Sequence, residues 1–285
     1  MIPPIANNFV AGKSSVTALE RAAQNREDGL NTILNLLGEH HDDSEEVAAD
    51  TEAYCSLIDE IGTSAIDACV SVKPSQIGLE IDAEAFETNL RRIVDLAATN
   101  DVFIWIDMEN SGTTDVTLDT YEALAREYGG GIGVCLQANL RRTREDLARF
   151  ADVPGKVRLV KGAYDEPESI AYKDKSDVDE AYRTLLEDAF EHREDGIAVG
   201  SHDPAMIKYA SQLHDEYGTP YEVQMLMGVR EDAQRELASE GVDVYQYVPY
   251  GSRWLQYFYR RVRERKENVL FALRAITGSS IRNRS

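Results

Sequence analysis

Eight short apolar runs, each followed by a longer segment with helical spacing, leave few folds open to this chain. The runs fall at 31–37, 65–72, 102–107, 131–136, 157–161, 197–200, 221–224 and 244–247. Between them apolar residues recur at i, i+3 and i+4. Phe86, Leu90, Ile93, Val94 and Ala97 form such a stripe over 84–98, and Met206, Ala210 and Leu213 form another over 203–217. Thr117 ahead of Leu118, Thr143 ahead of Arg144 and Ser252 ahead of Arg253 read as helix caps. Strand–helix alternation predicts a parallel sheet with helices outside. Eight repeats in 285 residues, with no second compositional zone, predict one α/β domain over 1–285. It is read as a closed (β/α)8 barrel, with a doubly wound open sheet as the alternative. A helix near 15–26 precedes the first strand, a C-terminal helix is expected over the barrel mouth, and 278–285 read as frayed.

Composition removes several functions. The formal charge of −21 leaves no basic stripe for nucleic acid. Cys55, Cys69 and Cys135 are far apart and form no CxxC pair, and the histidines lack metal spacing, so no metal is expected. No run approaches the roughly 20 apolar residues of a membrane-spanning helix. The first residues lack the pattern of a secretory signal, so a cytoplasmic protein is expected. Eight lysines stand against twenty-two arginines in a dispersed acid excess, a composition like that of proteins from salt-loving archaea. The glycines at 129–131 follow a helix and open a strand, the reverse of a dinucleotide fingerprint, and read as a helix stop.

Barrel enzymes carry their chemistry at the carboxyl ends of the strands. This chain puts Lys73, Asp107, Gln137, Ser201, His202, Gln224 and Tyr247 at those ends, and Arg158 and Lys161 on the fifth run. Buried cations need a partner or a ligand. Gly162 would let a ligand approach the backbone closely. Each residue alone has an ordinary structural explanation; together they point to a ligand site. Near the C-terminus Trp254, Tyr257, Arg260 and Arg261 lie at i, i+3, i+6 and i+7. Two guanidinium groups beside an aromatic wall suit a small carboxylate.

Several segments together resemble the proline dehydrogenase family. They are Ser71-Val72-Lys73-Pro74-Ser75-Gln76, Ile106-Asp107-Met108-Glu109, Arg158-Leu159-Val160-Lys161-Gly162-Ala163-Tyr164, Tyr221-Glu222-Val223-Gln224-Met225-Leu226, Tyr247-Val248-Pro249-Tyr250-Gly251 and Tyr257-Phe258-Tyr259-Arg260-Arg261. The resemblance implies a barrel that holds FAD non-covalently and oxidises L-proline to 1-pyrroline-5-carboxylate. It is expected to be of the short, monofunctional type. Lys73, Arg260 and Arg261 would take the substrate carboxylate, and Tyr247 and Tyr257 would line the ring pocket. Arg158 would lie beside the flavin and Asp107 near the reacting centre. Met108, Gln137, Arg158, Lys161, Gly162, Ala163, Ser201, His202 and Gln224 would hold FAD. Glu39 is a candidate for the family's gating acid. An electron acceptor, a membrane quinone among the possibilities, is implied as partner, with association at the membrane surface in that case.

The residues leave a rival open: a barrel aldolase or transaldolase with Lys161 as Schiff base, which would need a lowered lysine pKa.

Overall fold

The computed structural model describes residues 6–255 and 257. Helix α1 (Ser15–Glu27) leads into β1 (Asn31–Leu36), α2 (Ser44–Gly62), β2 (Cys69–Val72) and α3 (Ala83–Asn100). The alternation continues through β3 (Ile104–Ile106), α4 (Thr114–Tyr128), β4 (Ile132–Gln137), α5 (Thr143–Arg149) and β5 (Lys156–Val160). It ends with α6 (Lys175–His192), β6 (Ile197–Gly200), α7 (Pro204–Tyr217), β7 (Tyr221–Leu226), α8 (Glu231–Ser239) and β8 (Asp243–Tyr250). Every strand pairs in parallel with the next, and β8 returns to β1, so the sheet closes into the expected barrel.

Local chemistry accounts for the helix ends. Asp82 caps α3 by accepting from the Ala85 N–H, and the predicted stripe from Phe86 to Ala97 is buried. Asp203 caps α7 ahead of Pro204, and Gly218 closes it in the left-handed region at φ +76°. Gly129 ends α4 in the same way, at φ +67°. Thr117 is not a cap: α4 begins a turn earlier, and the Thr117 hydroxyl donates to Thr113 O within the helix. Thr143 is the first residue of α5, where its hydroxyl donates to Gln137 O and ties the helix to β4. The second run yields a shorter strand than expected, because 64–66 turn on the Ser64 hydroxyl, which accepts from the Ile66 N–H.

Two layers follow from the alternation of side chains. Val70, Ile104, Val134, Leu159, Val199 and Val223 face outward into the main core under the helices. Ile33, Trp105 and Ala198, with Cys69, Phe103, Tyr245 and Tyr247 against them, fill the barrel interior. Helix α1 covers the outside of the β8–β1 seam. There Arg21 donates twice to Gln246 Oε1, at 3.0 and 2.8 Å, and Asn25 Nδ2 donates to Thr32 Oγ1 at 3.0 Å. This is the flank that a helix following β8 takes in a regular barrel. The chain beyond β8 begins a helix at Trp254, and Tyr257 is helical; the rest of the expected C-terminal helix, with Arg260 and Arg261, lies outside the described residues.

Candidate active site

A cavity of about 740 Å³ opens at the carboxyl ends of the strands. Its floor is a polar layer above the Trp105 plug. Register brings Asn35 beside Ser71, Cys135 beside Arg158 and Gly200 beside Gln224. Lys73, Asp107, Met108, Gln137, Arg158, Lys161, Gly162, Ala163, His202, Gln224, Tyr247 and Tyr257 all line it.

Asp107 is the hub. It is 7% exposed, and Oδ1 accepts from the Ser71 hydroxyl at 2.7 Å and from Arg158 Nη2, while Oδ2 accepts from Lys73 Nζ at 2.9 Å and the Tyr247 hydroxyl at 2.7 Å. Burial pushes its carboxyl up, but Lys73 and Arg158, with the Ser71 hydroxyl, hold it well below the usual carboxylate range. Burial pulls Lys73 down, but the surrounding acidic groups, Asp107 foremost, together outweigh it, so the ammonium stays charged. The Tyr247 phenol is pushed up by burial and by the Asp107 charge, so it donates as a neutral hydroxyl. Arg158, 4% exposed, also donates from Nη1 to Gln224 Oε1 at 3.1 Å, and its guanidinium lies 5.0 Å from the Trp105 ring. Burial works against its charge, and the surrounding groups, Asp107 foremost, together outweigh it.

Around the rim, Gln137 Nε2 donates to Glu109 O at 2.8 Å. His202 Nε2 accepts from the Leu226 N–H at 3.3 Å, and Glu39 Oε1 reaches to 3.9 Å from Lys73 Nζ. Ser201 is buried, but its hydroxyl accepts from the Asp203 N–H at 3.1 Å and serves the turn into α7. Gly162 has φ +108°, and a Cβ there would fall 2.1 Å from Asn139 Oδ1, so backbone geometry and Asn139 packing both require glycine. Tyr257 packs with Phe9, Val10 and Leu37 at the cavity wall.

Lys161 leaves the barrel interior and pairs with Asp179 and, at 2.7 Å, Asp203. Burial lowers its pKa, but these carboxylates outweigh that and raise it. A Schiff-base lysine needs the opposite shift, so the aldolase alternative loses its chemical basis. Two of the three Lys161 ammonium donors face carboxylates.

Residues missing from the sequence-based site are Asn35, Ser71 and Tyr164 at the cavity and Asp179 and Asp203 behind Lys161. Ser71 had a signal: it is two residues from Lys73 and faces the same way. The two aspartates had none, because only folding brings them to Lys161.

Such a constellation lies at the carboxyl ends of a closed parallel barrel, where (β/α)8 enzymes carry their chemistry. A proline dehydrogenase family model matches residues 18–274. The chain is 36% identical over 281 residues to a proline dehydrogenase of Deinococcus radiodurans. It is 34% identical over 274 residues to proline dehydrogenase 1 of Bacillus subtilis strain 168. Each match spans 95% of this chain and 90% of the relative. A crystal structure of proline utilization A from Bdellovibrio bacteriovorus, inactivated by N-propargylglycine, superposes with a TM-score of 0.82 at 24% identity. It matches 90% of this chain, which spans 32% of that protein, and it supports the fold. The chain belongs to the proline dehydrogenase family, and its reaction is the oxidation of proline, the first step of proline catabolism.

Proposed function

We propose that this chain oxidises L-proline to 1-pyrroline-5-carboxylate with FAD held non-covalently at the barrel mouth. The observation that carries this reading is the Asp107 hub, which fixes Lys73, Arg158 and Tyr247 around one pocket. Proline is a zwitterion, and its carboxylate needs a desolvated cation. Lys73, kept charged by Asp107, supplies one at the cavity floor. Arg260 and Arg261, outside the described residues, supply the others by family resemblance.

Asp107 is ionised and its oxygens already accept four donors, so it is a poor proton acceptor. Its role is to orient Lys73, Arg158 and Tyr247. The substrate amine therefore reaches the site neutral, its proton lost to solvent. Tyr247 and Tyr257 wall the ring, and Glu39 lies beside Lys73 at the entrance.

The lining suits a flavin. Met108, Cys135, Val160, Met225 and Leu226 make an apolar slot, with Arg158, Gln137 and Gln224 as polar groups at its edge. FAD, when bound, supplies the acceptor for the hydride removed from the ring carbon beside nitrogen. Arg158 would offset negative charge at that edge. Lys161 and His202, at the rim near the N-terminus of α7, suit the phosphates.

The electron acceptor is read as a quinone or a comparable carrier. Among the described residues no helix is long and apolar enough to cross a membrane. A cytoplasmic location, with contact at the membrane surface during electron transfer, agrees with three free cysteines. The acid excess is read as an adaptation to high salt.

The test is the visible spectrum of the purified protein before and after anaerobic addition of proline. A flavin band that bleaches with L-proline and not with D-proline is expected. An unchanged spectrum in excess L-proline overturns the reading.

A further inference from the structure

Beneath Arg158 the barrel holds a second ion pair, between the half-buried Lys156 and the buried Glu222, that the reaction above does not use. Glu222 is 4% exposed; one oxygen accepts from Lys156 Nζ at 2.6 Å and the other from Gln224 Nε2 at 2.7 Å. Lys156 and Arg158 are two apart on β5, and Glu222 and Gln224 are two apart on β7, so all four face inward. The intervening strand β6 offers only Ala198 and Gly200 there, and side chains from β5 and β7 meet across them. A Cβ on Gly200 would come within 3.4 Å of Arg158 Cγ.

The donor and acceptor types give this chain of contacts a direction. A carboxylate can only accept, so Gln224 must turn its NH2 toward Glu222 and its oxygen toward Arg158, which can only donate. The reversed amide would set NH2 against guanidinium.

We propose that Glu222 is a positioning residue: its carboxylate sets the orientation of the Gln224 amide, and that amide holds Arg158 toward Asp107 and the cavity. The consequence for proline oxidation rests on the flavin reading above; the orientation itself does not.

The test exploits the parity of donors. In Glu222→Gln, Lys156 still claims an oxygen, so the new amide presents NH2 to Gln224, which must flip and repel Arg158. In Lys156→Met the carboxylate remains, and Gln224 keeps its orientation. In the double variant the new amide is free to turn its oxygen to Gln224, which restores the native arrangement.

Trp105, under the Arg158 guanidinium, reports the geometry through its emission. The chain has two tryptophans, so the series is measured on purified protein in a Trp254→Phe background. Glu222→Gln is expected to shift Trp105 emission and to slow flavin reduction at saturating proline by about tenfold or more, with little change in half-saturation. Lys156→Met and the double variant are expected to keep native emission. A merely structural ion pair predicts instead that the two single variants behave alike and that the double variant recovers nothing; that result overturns the proposal, as does native emission in Glu222→Gln. Should Glu222→Gln fail to fold, shifted emission in the double variant overturns it equally. If proline leaves the wild-type spectrum unchanged, the flavin reading fails while the emission series still decides the role of Glu222.

Discussion

Lys73 and Tyr247 donate to the same oxygen of Asp107, at 2.9 and 2.7 Å, from the two strands that flank β1 in the closed sheet. One carboxylate oxygen thus fixes both a cation and a phenol at the cavity floor. The other oxygen does the same for Arg158 and Ser71.

Removing this carboxylate should damage the fold as well as the site. Asp107→Ala leaves Lys73 and Arg158 buried without their shared partner, a class of change that costs about 3–5 kcal/mol. Urea unfolding should show a loss of that size. A loss below about 1 kcal/mol would mean that water or neighbouring carboxylates replace Asp107.

The same group sets an acid limit. Its folded pKa lies below the ordinary Asp value of about 3.9, so the unfolded chain binds the extra proton. The stability that Asp107 contributes is therefore complete above that value and is lost as pH falls below it. Urea midpoints measured from pH 6 to pH 2.5 should fall more steeply for wild type than for Asp107→Asn. Parallel curves would show that Asp107 is not a linked group.

Tyr247→Phe tests the substrate wall with little change in volume. It removes one hydrogen bond to a charged acceptor, a contact of about 1.5–3 kcal/mol. Half-saturating proline should rise about tenfold or more while the protein keeps its flavin. Wild-type dependence of flavin reduction on proline would remove Tyr247 from the pocket.

Lys161→Met separates ion pairing from chemistry. Asp179 and Asp203 would lose their shared cation, and flavin retention through gel filtration should fall. Wild-type protein treated with borohydride and a carbonyl substrate should carry no adduct on Lys161, since its pKa is raised. A trapped adduct there would revive the aldolase chemistry.

Fifty-one acidic residues against thirty basic ones should repel in dilute buffer. The Debye length is about 30 Å at 0.01 M salt and about 3 Å at 1 M. The melting temperature should accordingly be higher in 2 M than in 0.05 M potassium chloride. Equal values would show that the acid excess is not a salt adaptation.

The order of strands and helices, the buried face of α3 and the polar residues at the strand ends were legible in the sequence. Periodicity, caps and turn glycines act within a few residues, so the local sequence carries them. Closure decided the rest. Asp107 meets Lys73 from 34 positions away and Tyr247 from 140, and neither separation predicts a contact until the eight strands fix a common register. The same holds for Lys161, whose cation looked available for a ligand until α6 and α7 brought Asp179 and Asp203 to it. Glu222 repeats the lesson inside the barrel: its alternation with Gln224 was readable on β7, but its partner Lys156 comes from β5, across the small residues of β6. Local patterns determine which face of an element is apolar, whereas a buried charge takes its role from the groups that barrel closure places against it.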